Sequence, residues 1–114
     1  MFAFLMGLKT VSPAQLEGEL GDGRTVVVDV NAPQVWASGH VPGAINRDSG
    51  NLRESDLPAD KAAALVFYCS NSMCRKAPNA ARKAQLLGYQ NVRVMAAGIS
   101  GWMSAKLPVE RGAV

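Results

Sequence analysis

Leu65-Val66-Phe67-Tyr68-Cys69-Ser70-Asn71-Ser72-Met73-Cys74-Arg75-Lys76-Ala77-Pro78 is the stretch from which the rest of the chain is read. Its first four residues are apolar without polar alternation, the pattern of a strand buried on both faces, and such strands favour a parallel sheet. The run ends at Cys69 and a short polar loop follows. Apolar positions Ala77, Ala80, Ala81, Ala84 and Leu87 then recur at helical spacing, with Asn79, Arg82, Lys83 and Gln85 facing out and Gly88 as the stop. A thiol therefore sits at the carboxyl end of a strand, where open α/β sheets bind their ligands.

The segments on either side fit the same architecture. Upstream, Thr25-Val26-Val27-Val28-Asp29-Val30 is a second buried, β-branched run. Before it, Val11-Ser12-Pro13-Ala14-Gln15-Leu16 combines an N-cap serine, a first-turn proline, a capping-box glutamine and a hydrophobic staple, predicting a helix from about Pro13 to Leu20 that Gly21-Asp22-Gly23 stops. Residues 33–38 read as a short helix, and His40-Val41-Pro42-Gly43-Ala44 as a turn into a short strand at 44–46. Residues 47–61 are polar and loop-rich. Downstream, Val92 to Met95 reads as a strand, Ile99 to Ala105 as a helix, and Leu107-Pro108-Val109 as an exit segment. Strands alternating with helices predict one small α/β domain, a mostly parallel central sheet flanked by helices, with right-handed crossovers. Residues 10–112 are assigned to that domain and 1–9 to an apolar N-terminal segment, whose Met1 to Leu8 are expected to dock on it.

Composition bounds the function. A chain of 114 residues with 48% hydrophobic and 18% charged side chains suits a single packed domain and not a disordered one. No apolar run reaches the roughly 18–20 residues of a membrane helix, and the N-terminal stretch lacks a secretory leader's basic start and cleavage site, so a cytoplasmic protein is expected. Residues 1–60 carry four basic against eight acidic side chains (−4) and residues 61–114 eight against Glu110 alone (+7), summing to the net +3. Arg75, Lys76, Arg82 and Lys83 concentrate the positive field just after the cysteines, which suits a small anionic ligand. No aromatic residues interleave with these charges, so nucleic acid is not expected as a partner. Two cysteines and the single His40 are too few for a structural zinc site, so no metal is expected.

Cys69 is the candidate nucleophile. Backbone amides from Ser70, Asn71, Ser72, Met73 and Cys74 can form a nest for an anion, the following helix adds its positive end, and Arg75 and Lys76 add charge. Such surroundings favour a thiolate. Cys74 is read either as a resolving thiol or as a loop residue without a chemical part, since so short a loop works against a Cys69–Cys74 bond. His40 reads as a structural turn residue bonding nearby backbone, and Asp29 as an anchor within reach of the loop. Trp36 and Trp102 read as core or pocket wall.

In order along residues 10–110, several motifs resemble the single-domain rhodaneses, a sulfurtransferase family: Val28-Asp29-Val30, Gly39-His40-Val41-Pro42-Gly43-Ala44-Ile45-Asn46, Phe67-Tyr68-Cys69, Ala80-Ala81 with Leu87-Gly88-Tyr89-Gln90-Asn91-Val92, and Ala97-Gly98-Ile99-Ser100-Gly101-Trp102 before Leu107-Pro108-Val109-Glu110. The resemblance implies a rhodanese-like fold. It also implies that Cys69 takes a sulfane sulfur from a donor such as thiosulfate, holds it as a persulfide, and passes it to cyanide or a thiol, including a protein thiol, without a cofactor. Three features depart from the family pattern: a loop about two residues longer than usual, Asn31 where arginine is common, and Ala97-Gly98 for the usual glycine pair. They bear on the sulfur donor more than on the fold. The longer loop gives Cys69-x5-Arg75, the spacing of tyrosine phosphatases and of rhodanese-fold phosphatases or arsenate reductases, in which arginine grips two oxyanion oxygens. Tyr68 in place of histidine and Lys76 in place of glycine weigh against that alternative. A third reading is a sulfur-carrier or binding module without turnover.

Overall fold

The computed structural model describes residues 6–112. Strands β1 (Lys9–Thr10), β2 (Thr25–Asp29), β3 (Ile45–Asn46), β4 (Ala64–Tyr68) and β5 (Asn91–Val94) form one sheet in the order β1-β5-β4-β2-β3. Every neighbouring pair is parallel. Helices α1 (Pro13–Glu19), α2 (Pro33–Ser38), α3 (Lys76–Leu86) and α4 (Gly98–Ser104) flank it.

The elements form for local reasons. At α1 the Gln15 amide donates to Ser12 Oγ (3.1 Å) and the Ser12 amide to Gln15 Oε1 (3.0 Å), a reciprocal cap of the predicted kind that contributes on the order of 1 kcal/mol. Gly88 ends α3 at φ +104°, a backbone that side chains other than glycine's rarely adopt. Residues 47–61 hold two single 3₁₀ turns, Ser49–Asn51 and Glu54–Asp56.

Central strands β2 and β4 pair in register, Val28 opposite Phe67 and Asp29 opposite Tyr68. Because successive strand residues face opposite sides, each strand feeds two cores. On one side Val28, Leu65, Phe67 and Cys69 pack with the α3 alanines, whose small side chains let the helix lie close to the sheet. On the other, Val27, Val66 and Tyr68 pack with Leu16, Met95, Ile99 and Trp102.

The end of the N-terminal segment packs with the domain. Leu8 is buried in the α3-side core, and Lys9 and Thr10 pair with Arg93 and Val94 to make an edge strand. A two-residue strand is too short to show a period in sequence, so the tail and the edge look alike there. The docking expected of Met1 to Leu5 lies outside the described residues; Met6 and Gly7 are exposed. Among the described residues no helix is long and apolar enough to cross a membrane.

Candidate active site

The parity of β4 sets the site. Tyr68 points to the α1/α4 side, so the next residue, Cys69, is on the α3 side, 2% exposed. Two amides of α4 hold the start of the loop: Ile99 donates to the Cys69 carbonyl and Ser100 to that of Ser70, each at 2.9 Å. Gly98 makes this close approach possible. It sits at φ +67°, and a Cβ there would lie 2.6 Å from both the Asn71 nitrogen and the Ser70 carbonyl carbon.

Asn71 shapes the remainder of the loop. Its side-chain oxygen accepts from the Met73 amide (2.9 Å) and its carbonyl from the Cys74 amide (3.2 Å), a turn that folds the chain back over Cys69. Two of the five amides expected to face an anion are thus directed to Asn71. The amides of Ser70, Asn71 and Ser72 make no hydrogen bond among the described residues. Cys74 is half-buried against the core that contains Cys69. The two cysteines are joined by a disulfide with their Cα atoms 6.4 Å apart. The expectation that so short a loop works against the bond is therefore corrected: the Asn71 turn supplies the reversal that residue counting misses. Met73, Arg75 and Lys76 are exposed at the loop's outer side and at the start of α3.

A polar network lies beneath the loop. Tyr68 Oη donates to Asp29 Oδ2 (2.6 Å) and accepts from the Val41 amide (3.0 Å). Asp29 Oδ1 accepts from the Asn31 amide (2.8 Å), and Asn31 Oδ1 accepts from Ser70 Oγ (2.8 Å). Asn46 Nδ2 donates to the carbonyls of Asp29 and Asn31, at 3.0 and 2.9 Å. Asp29 therefore reaches the loop through Asn31 and not directly. Burial pushes the Asp29 carboxyl above its ordinary range, against the lowering effect of its hydrogen bonds. Burial also pushes the Tyr68 hydroxyl up, with the Asp29 charge adding to the effect, so Tyr68 acts only as a neutral donor and acceptor. Asn31 Nδ2 is buried without a hydrogen-bond partner. A cleft lined by Asn31, Arg47, Ser49 and Lys76 opens beside this network.

The turn residues behave as read. His40 Nδ1 bonds the Trp36 carbonyl (2.7 Å), its ring stacks on Trp36 with centroids 4.3 Å apart, and its amide donates to the Glu110 carbonyl (2.9 Å). Trp102 is fully buried, whereas Trp36 is half-buried and lines a surface cleft. Sequence reading missed the structuring role of Asn71, although an asparagine two residues before Met73 in a polar loop is an Asx-turn signal. It also missed Asn31 as the link to Ser70, for which the sequence carries no local signal.

Fold and site together define a class: a small parallel α/β domain carrying a cysteine where its central strand passes into a loop and helix. The chain belongs to the rhodanese-like domain family, whose model matches residues 12–105. It is 34% identical over 105 residues to an HTH-type transcriptional regulator of Mycobacterium tuberculosis, covering 90% of this chain and 45% of that protein, so it spans about half the relative's length. It is 31% identical over 94 residues to the thiosulfate sulfurtransferase GlpE of Ectopseudomonas mendocina, covering 82% of this chain and 84% of the relative. Among solved structures it resembles a thiosulfate sulfurtransferase from Pseudomonas aeruginosa, with TM-score 0.81 and 31% identity over 92% of this chain and 20% of that one.

Proposed function

We propose that this protein is a sulfurtransferase in which Cys69 carries the sulfur. The observation that carries the reading is the placement of Cys69: buried at the carboxyl end of β4, its carbonyl fixed by the Ile99 amide, and just ahead of the basic start of α3. Relatives named thiosulfate sulfurtransferase support thiosulfate as the donor. Once the disulfide is reduced, the Cys69 thiolate attacks the sulfane sulfur of thiosulfate. The S–S bond breaks, sulfite leaves with the electron pair, and Cys69 holds a persulfide. A nucleophile such as cyanide or a thiol, on a small molecule or a protein, then takes the outer sulfur and returns the thiolate. Arg75 and Lys76 attract the dianionic donor. No step calls on a cofactor.

The phosphatase or arsenate reductase reading has less support. A tetrahedral oxyanion needs the loop amides to converge, and those of Met73 and Cys74 are directed to Asn71. The test is thiocyanate formation from thiosulfate and cyanide by protein kept reduced with a dithiol. Wild type is expected to turn over, and Cys69→Ser to fall to background. Turnover of an aryl phosphate or arsenate without thiocyanate would reverse the choice.

A further inference from the structure

We infer that Cys74 is a second reacting thiol that discharges the Cys69 persulfide as hydrosulfide, giving the protein a sulfide-releasing activity. The inference rests on the sulfurtransferase reading above. Three observations carry it. Cα atoms 6.4 Å apart lie within the span of a disulfide, and the two sulfurs are bonded in this structure. Cys74 is half-buried, its side chain packed against the core cluster that contains Cys69. The backbone that brings it there is held by Asn71 on one side, and by the Ile99 and Ser100 amides on Cys69 and Ser70 on the other.

The same loop that displays Cys69 to a donor thus presents a built-in acceptor. The Cys74 thiolate attacks the Sγ of Cys69, and the bond from that sulfur to the sulfane sulfur breaks. The electron pair leaves with hydrosulfide, which takes up a proton to the extent the pH dictates. The two cysteine sulfurs are oxidised to the disulfide while the sulfane sulfur is reduced to sulfide, so atoms and electrons balance without an outside oxidant. An external dithiol then reduces the disulfide by thiol–disulfide exchange and resets the site. Over one cycle a thiosulfate and a dithiol become sulfite, sulfide and a disulfide. A persulfide with no such neighbour waits for whichever acceptor arrives; here the intramolecular thiol competes with every external one, at the high effective concentration that fixed geometry gives.

The experiment is a single turnover of the fully reduced, desalted protein with thiosulfate, without acceptor or reductant. Sulfite and sulfide are quantified together with the intact mass. Wild type is expected to release sulfide in step with sulfite and to finish with both cysteines closed to alkylation. In Cys74→Ser and Cys74→Ala the sulfur should stay on Cys69 as a mass gain of one sulfur atom, with the ratio of sulfide to sulfite falling roughly a hundredfold, the scale of a lost intramolecular partner. Thermal melts of both variants check that the domain is folded. A wild type that keeps its persulfide with Cys74 still alkylatable, or an unchanged sulfide-to-sulfite ratio in the variants, overturns the inference and leaves the sulfurtransferase reading in place. A wild type that makes neither sulfite nor, with cyanide added, thiocyanate overturns both.

Discussion

A carboxylate lies against each end of strand β2, Glu19 from the last turn of α1 beside Thr25 and Asp29 as the strand's own last residue, and the two are treated in opposite ways. At the amino end Glu19 accepts a two-pronged grip from Arg93, Nη1 at 2.9 Å and Nη2 at 2.6 Å, and a third bond from Thr25 Oγ1 at 2.9 Å. The Arg93 hydrogen bonds hold its carboxyl below the ordinary range. At the carboxyl end Asp29 is fully buried and its hydrogen-bond donors are neutral, the Tyr68 hydroxyl and the Asn31 amide. There burial prevails and the carboxyl is pushed up. The amino end is arranged for stability. The carboxyl end tolerates a disfavoured charge and an unpartnered amide on Asn31, and these groups lie directly under the loop that carries Cys69. Polar groups there fix the position of backbone at some cost to stability, which fits a site end rather than a structural one.

If that contrast is right, disturbing the carboxyl end damages function and fold together. The largest effect is expected from Gly98→Ala. The new Cβ meets backbone atoms of Ser70 and Asn71 that cannot swing aside, at a φ of +67° that alanine disfavours. A loss of about 2–5 kcal/mol in urea unfolding is expected. The shifted loop should cut thiocyanate formation roughly a hundredfold, as small misplacements of a reacting group do. Normal turnover in this variant would break the contrast, since the loop would then not depend on its seat against α4. Tyr68→Phe comes next. It removes the partner of both Asp29 Oδ2 and the Val41 amide inside the core, and is expected to destabilise by about 1–3 kcal/mol. A neutral result would mean that the network under the loop is held by Asn31 and Asn46 alone.

How legible these ends were in sequence differs for physical reasons. The sheet was readable because buried parallel strands are continuous apolar runs, as are Val26 to Val28 within Thr25–Asp29 and the whole of Ala64–Tyr68. The α1 cap was readable because Ser12 and Gln15 act within one turn. The position of Cys69 at a strand end was readable because the apolar run stops there and a polar loop follows. The rest of the site depends on residues brought together from far along the chain: Tyr68 and Asp29 are 39 positions apart, as are Ser70 and Asn31. No local period encodes such contacts. The family resemblance placed Gly98 in a motif, but its reason for being glycine appears only once Ser70 is seen against it. The Cys69–Cys74 bond was misjudged because ring size was weighed without the reversal that Asn71 makes.

The smallest expected effect separates the two ends most cleanly, because it depends on sign. Glu19 titrates below its ordinary 4.5 in the folded protein. Its contribution to stability is therefore complete above that pH and disappears as the pH falls through the folded value. Asp29 titrates above its ordinary 3.8. Its contribution is complete below that pH and is lost as the pH rises through the folded value, where the buried carboxyl must ionise. Unfolding free energies of wild type, Glu19→Gln and Asp29→Asn, measured in urea from about pH 3 to pH 7, read both. Relative to Glu19→Gln, wild type should gain stability as the pH rises, ending about 0.5–1 kcal/mol ahead, the scale of a partly exposed ion pair. Relative to Asp29→Asn, wild type should lose ground over the same range, on top of a constant offset from the hydrogen bonds that asparagine cannot reproduce. Two slopes of the same sign would show that the ends of β2 are not electrostatic opposites, and that the network beneath Cys69 is an ordinary stabilising one.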